Sequence, residues 1–561
     1  MNRSGRIFDQ VKTTSPKKES GSNFNWALPP TGLRFLIIAL LVLGVFFRFA
    51  NIDKKVYWID ETYTSFRVAG YTEQDIIPQV SENKIFKIEE LQKYQHVNSE
   101  KTVVDTIKGL VIEEPQLTPL YFVTARYWAK LFGDAIASMR SFPAITSLLV
   151  FPCVYWLCLE LFESSLVGWI AIALIAVSPF HIVYAQEARP YTLWTVTILL
   201  SSASLLRAIR VKTKLSWGIY AATVALGLYS FLFFAFVAIS HGIYVAIIEG
   251  FRRTKAIKAY LVATAAGLFA FLPWIVIVIT YLPQIIRATP EQSRSPRHSI
   301  FALGKAWVVN ISRDFFDLGF RSDTFTQAPS LLKLSTLVIL LLSVLLVGYA
   351  TYFLCRHTPQ RVWLFVITLM GVTALALVLP DLILGGLRSV FGRYFVPCYI
   401  GIQLAVAYLF SSKISYTPLY LWQQKLWQIS LVAVLSAGII SGAVFSQADT
   451  WWQKKTNAFN PQLAPIINQT TQPLVMREMP RGTPPHNFFT LVSLSYWLEQ
   501  KVQYQVVFEG TLPKIPQNFS DVFIIDPSQK LLANLSNDNT IQLQPIKDVK
   551  DPLPIFKLIR P

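Results

Sequence analysis

The chain has 561 residues, of which 53% are hydrophobic and only 15% are charged, and its mean hydropathy is +0.42. These values lie outside the range of ordinary soluble domains and predict an integral membrane protein. The formal net charge of +18 indicates basic cytoplasmic loops or anionic partners, and the four cysteines lack the spacing of a zinc site or a disulfide framework.

The first 32 residues are polar and basic, and they predict a disordered cytoplasmic tail before an uncleaved first helix. A membrane crossing needs about 20 mostly apolar residues. We predict eleven crossings, at 33–50, 142–160, 166–184, 191–206, 216–232, 234–249, 260–282, 334–354, 363–379, 395–410 and 426–445.

A twelfth apolar segment, 119–133, is shorter and places Arg126 and Lys130 four residues apart, which gives one basic edge on an apolar helix. We predict that this helix lies on the membrane surface. With eleven crossings and the tail inside, every strong cluster of Lys and Arg between crossings falls in a cytoplasmic loop, as membrane proteins prefer. The segments 51–141, 185–190, 283–333 and 447–561 are then predicted to be external.

Two of these external segments carry acidic residues next to the membrane. Asp60 and Glu61 follow the first crossing in "VYWIDETYTSFRVAG", and Glu187 lies with Arg189 in "SPFHIVYAQEARPYTL". Charges beside the hydrocarbon are costly and tend either to pair with each other or to mark a substrate path. Glu187 and Arg189 could simply neutralise each other. Two acidic clusters at the same depth favour convergence on one cavity.

Basic residues are the second feature of the predicted external side. The loop 283–333 contains six Lys and Arg residues, and Arg388 and Arg393 lie in "GLRSVFGRYFVP". The loop could be a solvated surface or an electrostatic funnel for an anionic head group, for which phosphate is the natural candidate. Carboxylates beside cations fit group transfer from a lipid phosphate to a hydroxyl, with a carboxylate as general base.

At these residues the chain resembles the GT-C superfamily of membrane glycosyltransferases. The resemblance is specifically to family 39, which includes protein O-mannosyltransferases and the bacterial aminoarabinose transferases of lipid A. It rests on "WIDETYTS", "PQLTPLYFVTARYWAKLFG" with "SMRSFPAITSLLVFPCVYWL", "LFESSLVGWIAIALIAVSPFHIVYAQEARPYTL" and "GRYFVPCYIGIQLAVAYLF", and it covers most of 33–446. It implies a helical GT-C fold of about 11 transmembrane helices plus interfacial helices.

The resemblance also implies site residues. Asp60 matches the catalytic acid of the first external loop, and Glu61 completes the acidic pair. Arg140 is expected to contact the donor phosphate, and Glu187 takes the second external acidic position. The remaining residues expected to bind substrate are Tyr63, Gln186, Arg189, Tyr191, Arg393 and Tyr394.

One departure concerns a metal. The family often has His-Pro-Pro-Leu before the interfacial helix, whereas this chain has "LTPL" at 117–120. Glu113 and Glu114 could replace the missing histidine, but solvated acids are the expected alternative. His181, within a predicted crossing, is expected to be packed rather than a ligand. A divalent cation (Mg, Mn or Zn) therefore stays open as a cofactor, and no nucleotide cofactor is expected.

The reaction that the resemblance implies is an inverting transfer of a hexose or pentose from a polyprenyl-phosphate donor to a hydroxyl of a lipid, polysaccharide or protein acceptor. Such an enzyme is integral to the cell's inner membrane, contacts membrane lipids and has no nucleic-acid partner. A nucleotide-sugar donor is disfavoured because the sequence lacks a Gly-rich phosphate loop.

After residue 446 the composition becomes polar, and apolar runs alternate with helical patterns. We predict a small external α/β domain over 447–561, which could recognise the acceptor, act as a lid or cap the protein.

Two other functions compete with the transferase. A transporter or flippase would use the buried charges as a translocation path, but it needs charged sites that both faces can reach. A non-catalytic scaffold would leave the acidic pair unexplained.

Overall fold

A computed structural model describes residues 31–78, 84–288, 296–320, 329–415, 420–479, 486–537, 541–546, 549 and 554–559. Most of the predicted N-terminal tail, and Arg294 and Arg321 of the predicted basic loop, therefore lie outside the described residues. The described chain is a helical bundle with a six-stranded sheet region built mainly from its C-terminal part.

The helices of the bundle follow one another with short connections. They are α1 (Thr31–Phe49), α2 (Ile59–Ala69), α3 (Glu73–Ile76), α4 (Ile88–Gln92), α5 (Val103–Glu113), α6 (Pro119–Phe132), α7 (Ile136–Leu148), α8 (Val150–Phe162), α9 (Ser165–Val177), α10 (Pro179–Ala185), α11 (Tyr191–Val211), α12 (Lys214–Ser230), α13 (Phe234–Ile248), α14 (Lys255–Thr280), α15 (Leu282–Ala288), α16 (Ile300–Ser312), α17 (Ser330–His357), α18 (Gln360–Leu384), α19 (Val396–Ser415) and α20 (Leu421–Gln447).

All eleven segments predicted to cross the membrane are helical. Within the described ranges, eight spans are long and apolar enough to cross, and the bent pair α9–α10 makes a ninth. The two further predicted crossings, α12 and α13, have 17 and 15 residues. They are shorter because Phe231 between them takes an extended conformation, which ends α12 at Ser230. The chain is thus a polytopic helical membrane protein, as predicted.

The pair α9–α10 bends by 60° at Ser178–Pro179. Pro179 has no N–H to donate to Ile175 O, and the Phe180 N–H donates to Arg313 O instead of Ala176 O. The buried Arg48 of α1 satisfies both freed carbonyls, at 3.1 Å to Ile175 O and 2.8 Å to Ala176 O. A Cβ at Gly44 would lie 2.5 Å from Ala176 O, so glycine permits this close approach.

Helix α6 matches the predicted surface helix, and its residues Tyr127, Leu131 and Phe132 are exposed. The predicted basic edge is wrong in one respect. Arg126 is completely buried and donates to Val68 O at 2.6 Å, whereas Lys130 is exposed. An arginine can satisfy main-chain carbonyls with its fork of N–H groups, and here it ties α6 to the end of α2.

The sheet has the order β1-β3-β2-β4-β6-β5. Its strands are β1 (Ile85–Lys87), β2 (Pro473–Met479), β3 (Gln503–Phe508), β4 (Asp521–Ile525), β5 (Gln542–Pro545) and β6 (Ile555–Ile559). The strands β3, β2 and β4 are parallel, and the other pairs are antiparallel. The helices α21 (Asn460–Asn468), α22 (His486–Ser495) and α23 (Gln529–Ser536) accompany them.

Strand β1 comes from the loop after the first crossing, whereas the other five strands come from the predicted C-terminal domain. Ile85 pairs with Gln505. One apolar core also joins the two regions, because Trp58 and Phe66 of the first loop belong to the same buried cluster as Phe459 and Phe489. The C-terminal α/β region is therefore packed directly on the loop that carries Asp60 and Glu61.

Candidate functional site

The acidic pair lies in the first turn of α2. Carboxylates are favourable at this position because the free N–H groups of a helix N-terminus carry partial positive charge. The Ile59 N–H is satisfied from far away in the chain, by Asn457 Oδ1 at 2.9 Å. Consecutive helical residues point about 100° apart, so Asp60 and Glu61 face different surroundings.

Glu61 is fully buried and has four hydrogen-bond donors around it. Oε1 accepts from Arg140 Nε at 2.7 Å and from the Ala188 N–H at 3.0 Å. Oε2 accepts from Arg140 Nη2 at 2.7 Å and from Lys454 Nζ at 2.6 Å. One carboxylate thus joins α2, α7, the turn 186–190 and the segment that follows α20.

The charge state of Glu61 follows from these contacts. Burial alone would raise the pKa of this carboxyl, but the charges of Arg140 and Lys454, with their hydrogen bonds, outweigh burial and lower the pKa to about 2. Glu61 is therefore ionised at neutral pH. With both oxygens occupied, it cannot accept a proton from a substrate without losing a protein contact.

Arg140 was expected to contact the donor phosphate, and the structure gives it another role. A guanidinium has five N–H groups. Arg140 uses two of them on Glu61 and the other three on Ile52 O, Lys55 O and Val56 O, at 2.8 to 2.9 Å. The side chain is completely buried. Arg140 therefore holds the start of the first loop against α7 and has no N–H left for a phosphate.

Asp60 differs from its neighbour in being accessible. Its side chain is 24% exposed, and Oδ2 accepts from Arg393 Nη1 at 2.8 Å. The guanidinium of Arg393 lies near the faces of Trp58, Phe391 and Tyr394, with its Cζ 5.2 to 5.7 Å from the ring centroids. The predicted pair of Asp60 and Arg393, 333 positions apart, is thus brought together.

The turn after α10 brings the second acidic position to the same place. Glu187 is buried, and Oε2 accepts from Gln453 Nε2 at 3.5 Å, while Oε1 has no partner among the described residues. Burial raises the pKa of Glu187 to about 7; Lys454 and Arg393 oppose this rise, whereas Glu61 and Asp60 add to it. Glu187 is a carboxyl that changes charge near neutral pH.

The other two polar residues of this turn support the main chain. Gln186 donates to Phe47 O and Ala50 O at 2.8 and 2.9 Å and accepts from Lys55 Nζ at 3.1 Å. Gln186 is therefore a brace to the end of α1 rather than an open substrate contact. Arg189 Nη1 donates to Asp60 O at 3.3 Å and to Thr64 Oγ1 at 3.1 Å, so it joins the turn to α2.

The predicted tyrosines lie on two sides of the site. Tyr191 is buried, and its ring centroid is 5.1 Å from that of Tyr184. Tyr394 is half-buried beside Arg393. Tyr63 was expected to bind substrate, but its ring lies on Phe489 of the C-terminal region, with the centroids 4.1 Å apart. The structure thus gives Tyr63 a packing role between the two regions.

Sequence analysis missed the contribution of the segment after α20. Lys454 contacts Glu61, Gln453 contacts Glu187, and Asn457 accepts from the Ile59 N–H. The local signal is "WWQKKTN", two basic residues beside aromatic residues just after the last predicted crossing. Nothing in that pattern specifies contacts with residues more than 250 positions earlier in the chain.

The candidate metal ligands have other partners. Glu113 and Glu114, expected to be solvated, both form ion pairs with the buried Arg67, and the pair with Glu114 measures 2.7 Å. In the described ranges, no three His, Cys, Asp or Glu residues gather in a way that could hold a metal ion. Asp60 and Glu61 are already neutralised by arginine or lysine, so the donors present around them do not fit a cation.

Comparisons with known proteins give one family match and several distant structural similarities. Residues 114–277 match the family model described as dolichyl-phosphate-mannose-protein mannosyltransferase. No curated protein matches the chain.

The structural similarities are at 12% sequence identity. ArnT from Cupriavidus metallidurans bound to undecaprenyl phosphate has a TM-score of 0.49, with 94% of this chain and 98% of that chain covered. The apo form of that protein has a TM-score of 0.46 at the same coverage. An oligosaccharyltransferase from Archaeoglobus fulgidus, tethered to an acceptor peptide, has a TM-score of 0.43, with 85% of this chain and 64% of that chain covered.

Proposed function

We infer that this chain, a membrane glycosyltransferase of the GT-C superfamily by its family match over residues 114–277 and its helical fold, transfers a sugar from a polyprenyl-phosphate donor to an acceptor hydroxyl. A dolichyl phosphate is a polyprenyl phosphate, so the description of the matching family supports this class of donor. The acceptor is a lipid, a polysaccharide or a protein, and the sugar is a hexose or pentose.

The observation that carries the proposal is the contrast between Asp60 and Glu61. Asp60 is 24% exposed and held by one arginine, whereas Glu61 is fully buried and held by four donors. A general base must be reachable by the proton that it takes and must be held in a fixed direction. Asp60 meets both conditions, so we assign it the role of base and give Glu61 a positioning role.

The transfer step is then a single displacement that inverts the anomeric carbon. Asp60 takes the proton of the acceptor hydroxyl as the acceptor oxygen bonds to the anomeric carbon of the sugar. The bond between that carbon and the phosphate oxygen breaks, and its electron pair leaves with the polyprenyl phosphate. Arg393 makes one hydrogen bond within the described residues, so it can stabilise this phosphate as its charge increases.

We further propose that the site faces the outside of the cell's inner membrane, with the N-terminus in the cytoplasm and the C-terminal region external. The distribution of basic residues between crossings supports this orientation. The transfer step is written without a metal, because the acids near Asp60 are paired with cationic side chains.

The experiment is a transfer assay with the purified protein and a panel of lipid-phosphate sugars, and mass spectrometry of glycans and lipids lost from cells without the gene guides the choice of acceptor. Asp60→Asn is expected to lower turnover by about 10²- to 10⁴-fold, the usual contribution of a general base. Asp53→Asn is the matched control, since Asp53 is exposed in the same loop. Full activity of a well-expressed Asp60→Asn protein would refute the assignment.

A further inference from the structure

We propose that Lys454 is a positioning residue for the transfer reaction, which acts through Glu61 to hold the two acid-bearing segments, α2 and the turn 186–190, in one arrangement. The segment Asp449–Asn457, called the junction below, connects α20 to the C-terminal α/β region. The proposal rests on the function inferred above, because it assigns a role within that reaction.

The junction contacts the first loop at three levels. Its main chain begins this contact where the Val56 N–H donates to Asp449 O at 2.8 Å. Lys454 Nζ then reaches Glu61 Oε2 at 2.6 Å. Asn457 ends the contact by accepting from the Ile59 N–H. The start of α2, and therefore the direction of Asp60, is fixed by a segment that lies next to the last span.

The junction also contacts the turn that carries the second acid. Gln453 Nε2 lies 3.5 Å from Glu187 Oε2, and Glu61, held by Lys454, accepts from the Ala188 N–H at 3.0 Å. Glu61 is thus the shared partner of α2, the turn and the junction. If Lys454 is removed, Glu61 keeps Arg140 and the turn, but it loses its contact with the junction.

Burial gives the contact between Lys454 and Glu61 its importance. The Lys454 side chain is 1% exposed, and the Glu61 side chain is 0% exposed. An ion pair at this depth is not screened by water or salt, and removing one partner leaves the other charge without compensation. The adjacent Lys455 is exposed, so it provides a matched control of the same residue type in the same turn.

The charge of Lys454 also influences Glu187. The charged groups that face Glu187 are Lys454 and Arg393, which lower the pKa of its carboxyl, and Glu61 and Asp60, which raise it. Of these influences, that of Lys454 comes directly after burial in size. Without Lys454, the pKa of Glu187 is expected to rise above its present value of about 7.

The test compares Lys454→Met, Lys454→Arg and the control Lys455→Met in the full-length protein. Lys454→Met is expected to lower kcat by about 100-fold with a smaller change in KM, because misplacing a catalytic group by about 1 Å has an effect of this size. The acidic limb of the pH–rate profile is expected to move to higher pH. Lys454→Arg, which keeps the charge, is expected to restore much of the rate and the profile.

A second measurement does not depend on activity. Hydrogen exchange of main-chain amides is expected to increase in both α2 and the turn 186–190 in Lys454→Met, and in neither in Lys455→Met. If the wild-type protein transfers no sugar, the proposed function fails, and the exchange data alone still decide whether Lys454 holds both segments. If the exchange pattern is as expected but the rates of Lys454→Met equal those of Lys455→Met, the positioning role fails.

Folding of the single variant is the remaining concern, and a double variant addresses it. Glu61→Gln with Lys454→Met removes both members of the ion pair, so neither charge is left uncompensated. If Lys454 acts through Glu61, adding Lys454→Met to Glu61→Gln is expected to change the rate by less than about twofold, since coupled residues are not additive. Independent, multiplied losses in the double variant would overturn the proposal.

Discussion

Replacing Glu61 with glutamine removes the negative charge that Arg140 and Lys454 share. The amide keeps one carbonyl oxygen, but its NH₂ group must face N–H donors of Arg140 or Lys454. Breaking a buried ion pair by removing one partner costs about 3 to 5 kcal/mol. The pKa gives a similar magnitude, because a fall from 4.5 to about 2 corresponds to roughly 3 kcal/mol in favour of the ionised form.

The pH dependence of this loss has a definite sign. The pKa of Glu61 is lower in the folded protein than its usual value of 4.5, so its contribution to stability is fully present above that pH. It disappears as the pH falls through about 2. The difference in stability between the wild type and Glu61→Gln is therefore expected to be constant at neutral pH and to shrink as the solution is acidified across that interval.

The assay is thermal unfolding in detergent, followed by tryptophan fluorescence, with Asp60→Asn measured in parallel. Asp60 is partly exposed, and a pair of that kind contributes only about 0 to 1 kcal/mol. Asp60→Asn is therefore expected to melt close to the wild type and to lose transfer, whereas Glu61→Gln melts at a clearly lower temperature. The division of roles would be wrong if Glu61→Gln unfolded at the same temperature as Asp60→Asn.

Two further changes test how the site is supported. Arg48→Met leaves Ile175 O and Ala176 O without their donor, and at about 1 to 3 kcal/mol for each unsatisfied group, a lower melting temperature is expected; an unchanged one would show that the bend in α9–α10 does not depend on Arg48. Phe489→Ala removes a fully buried ring, with an expected loss of about 3 to 5 kcal/mol and faster hydrogen exchange in α2; exchange confined to the C-terminal region would contradict the shared core.

Local patterns in the sequence were sufficient for much of the fold. Apolar length predicted eleven segments that are all helical, and Pro179 marks the point where one of them bends. Alternating apolar residues predicted β2 to β5 of the C-terminal region. These successes share a cause, since hydrophobic periodicity and proline geometry act within a few residues of the chain.

The site was predictable only in part. The acidic pair, the turn with Glu187 and Arg393 were all identified, and the contacts between them agree with convergence on one place. The partner of each arginine was not predictable, because burial and register decide whether a guanidinium is free. Arg140 and Arg126 satisfy carbonyls and a carboxylate inside the protein, although each had been given an outward role.

The contribution of distant segments was also invisible in the sequence. Lys454 looked like part of a change in composition, and its contact with Glu61 spans 393 positions. The strand β1 is only three residues long and becomes a strand because β3 offers it an edge. Contacts of this kind follow from tertiary packing, which single-sequence patterns do not encode.

Strand β1 and Lys454 have a consequence for how the protein is made. The ribosome synthesises the loop with Asp60 early, but the partner strand of β1 and the lysine that contacts Glu61 are both made roughly 400 residues later, and closing such long loops is slow. The loop must therefore wait, incompletely packed, while the membrane helices are inserted. A chain that stops before residue 454 would contain the whole bundle, yet its acidic pair would lack the lysine and the sheet that complete it.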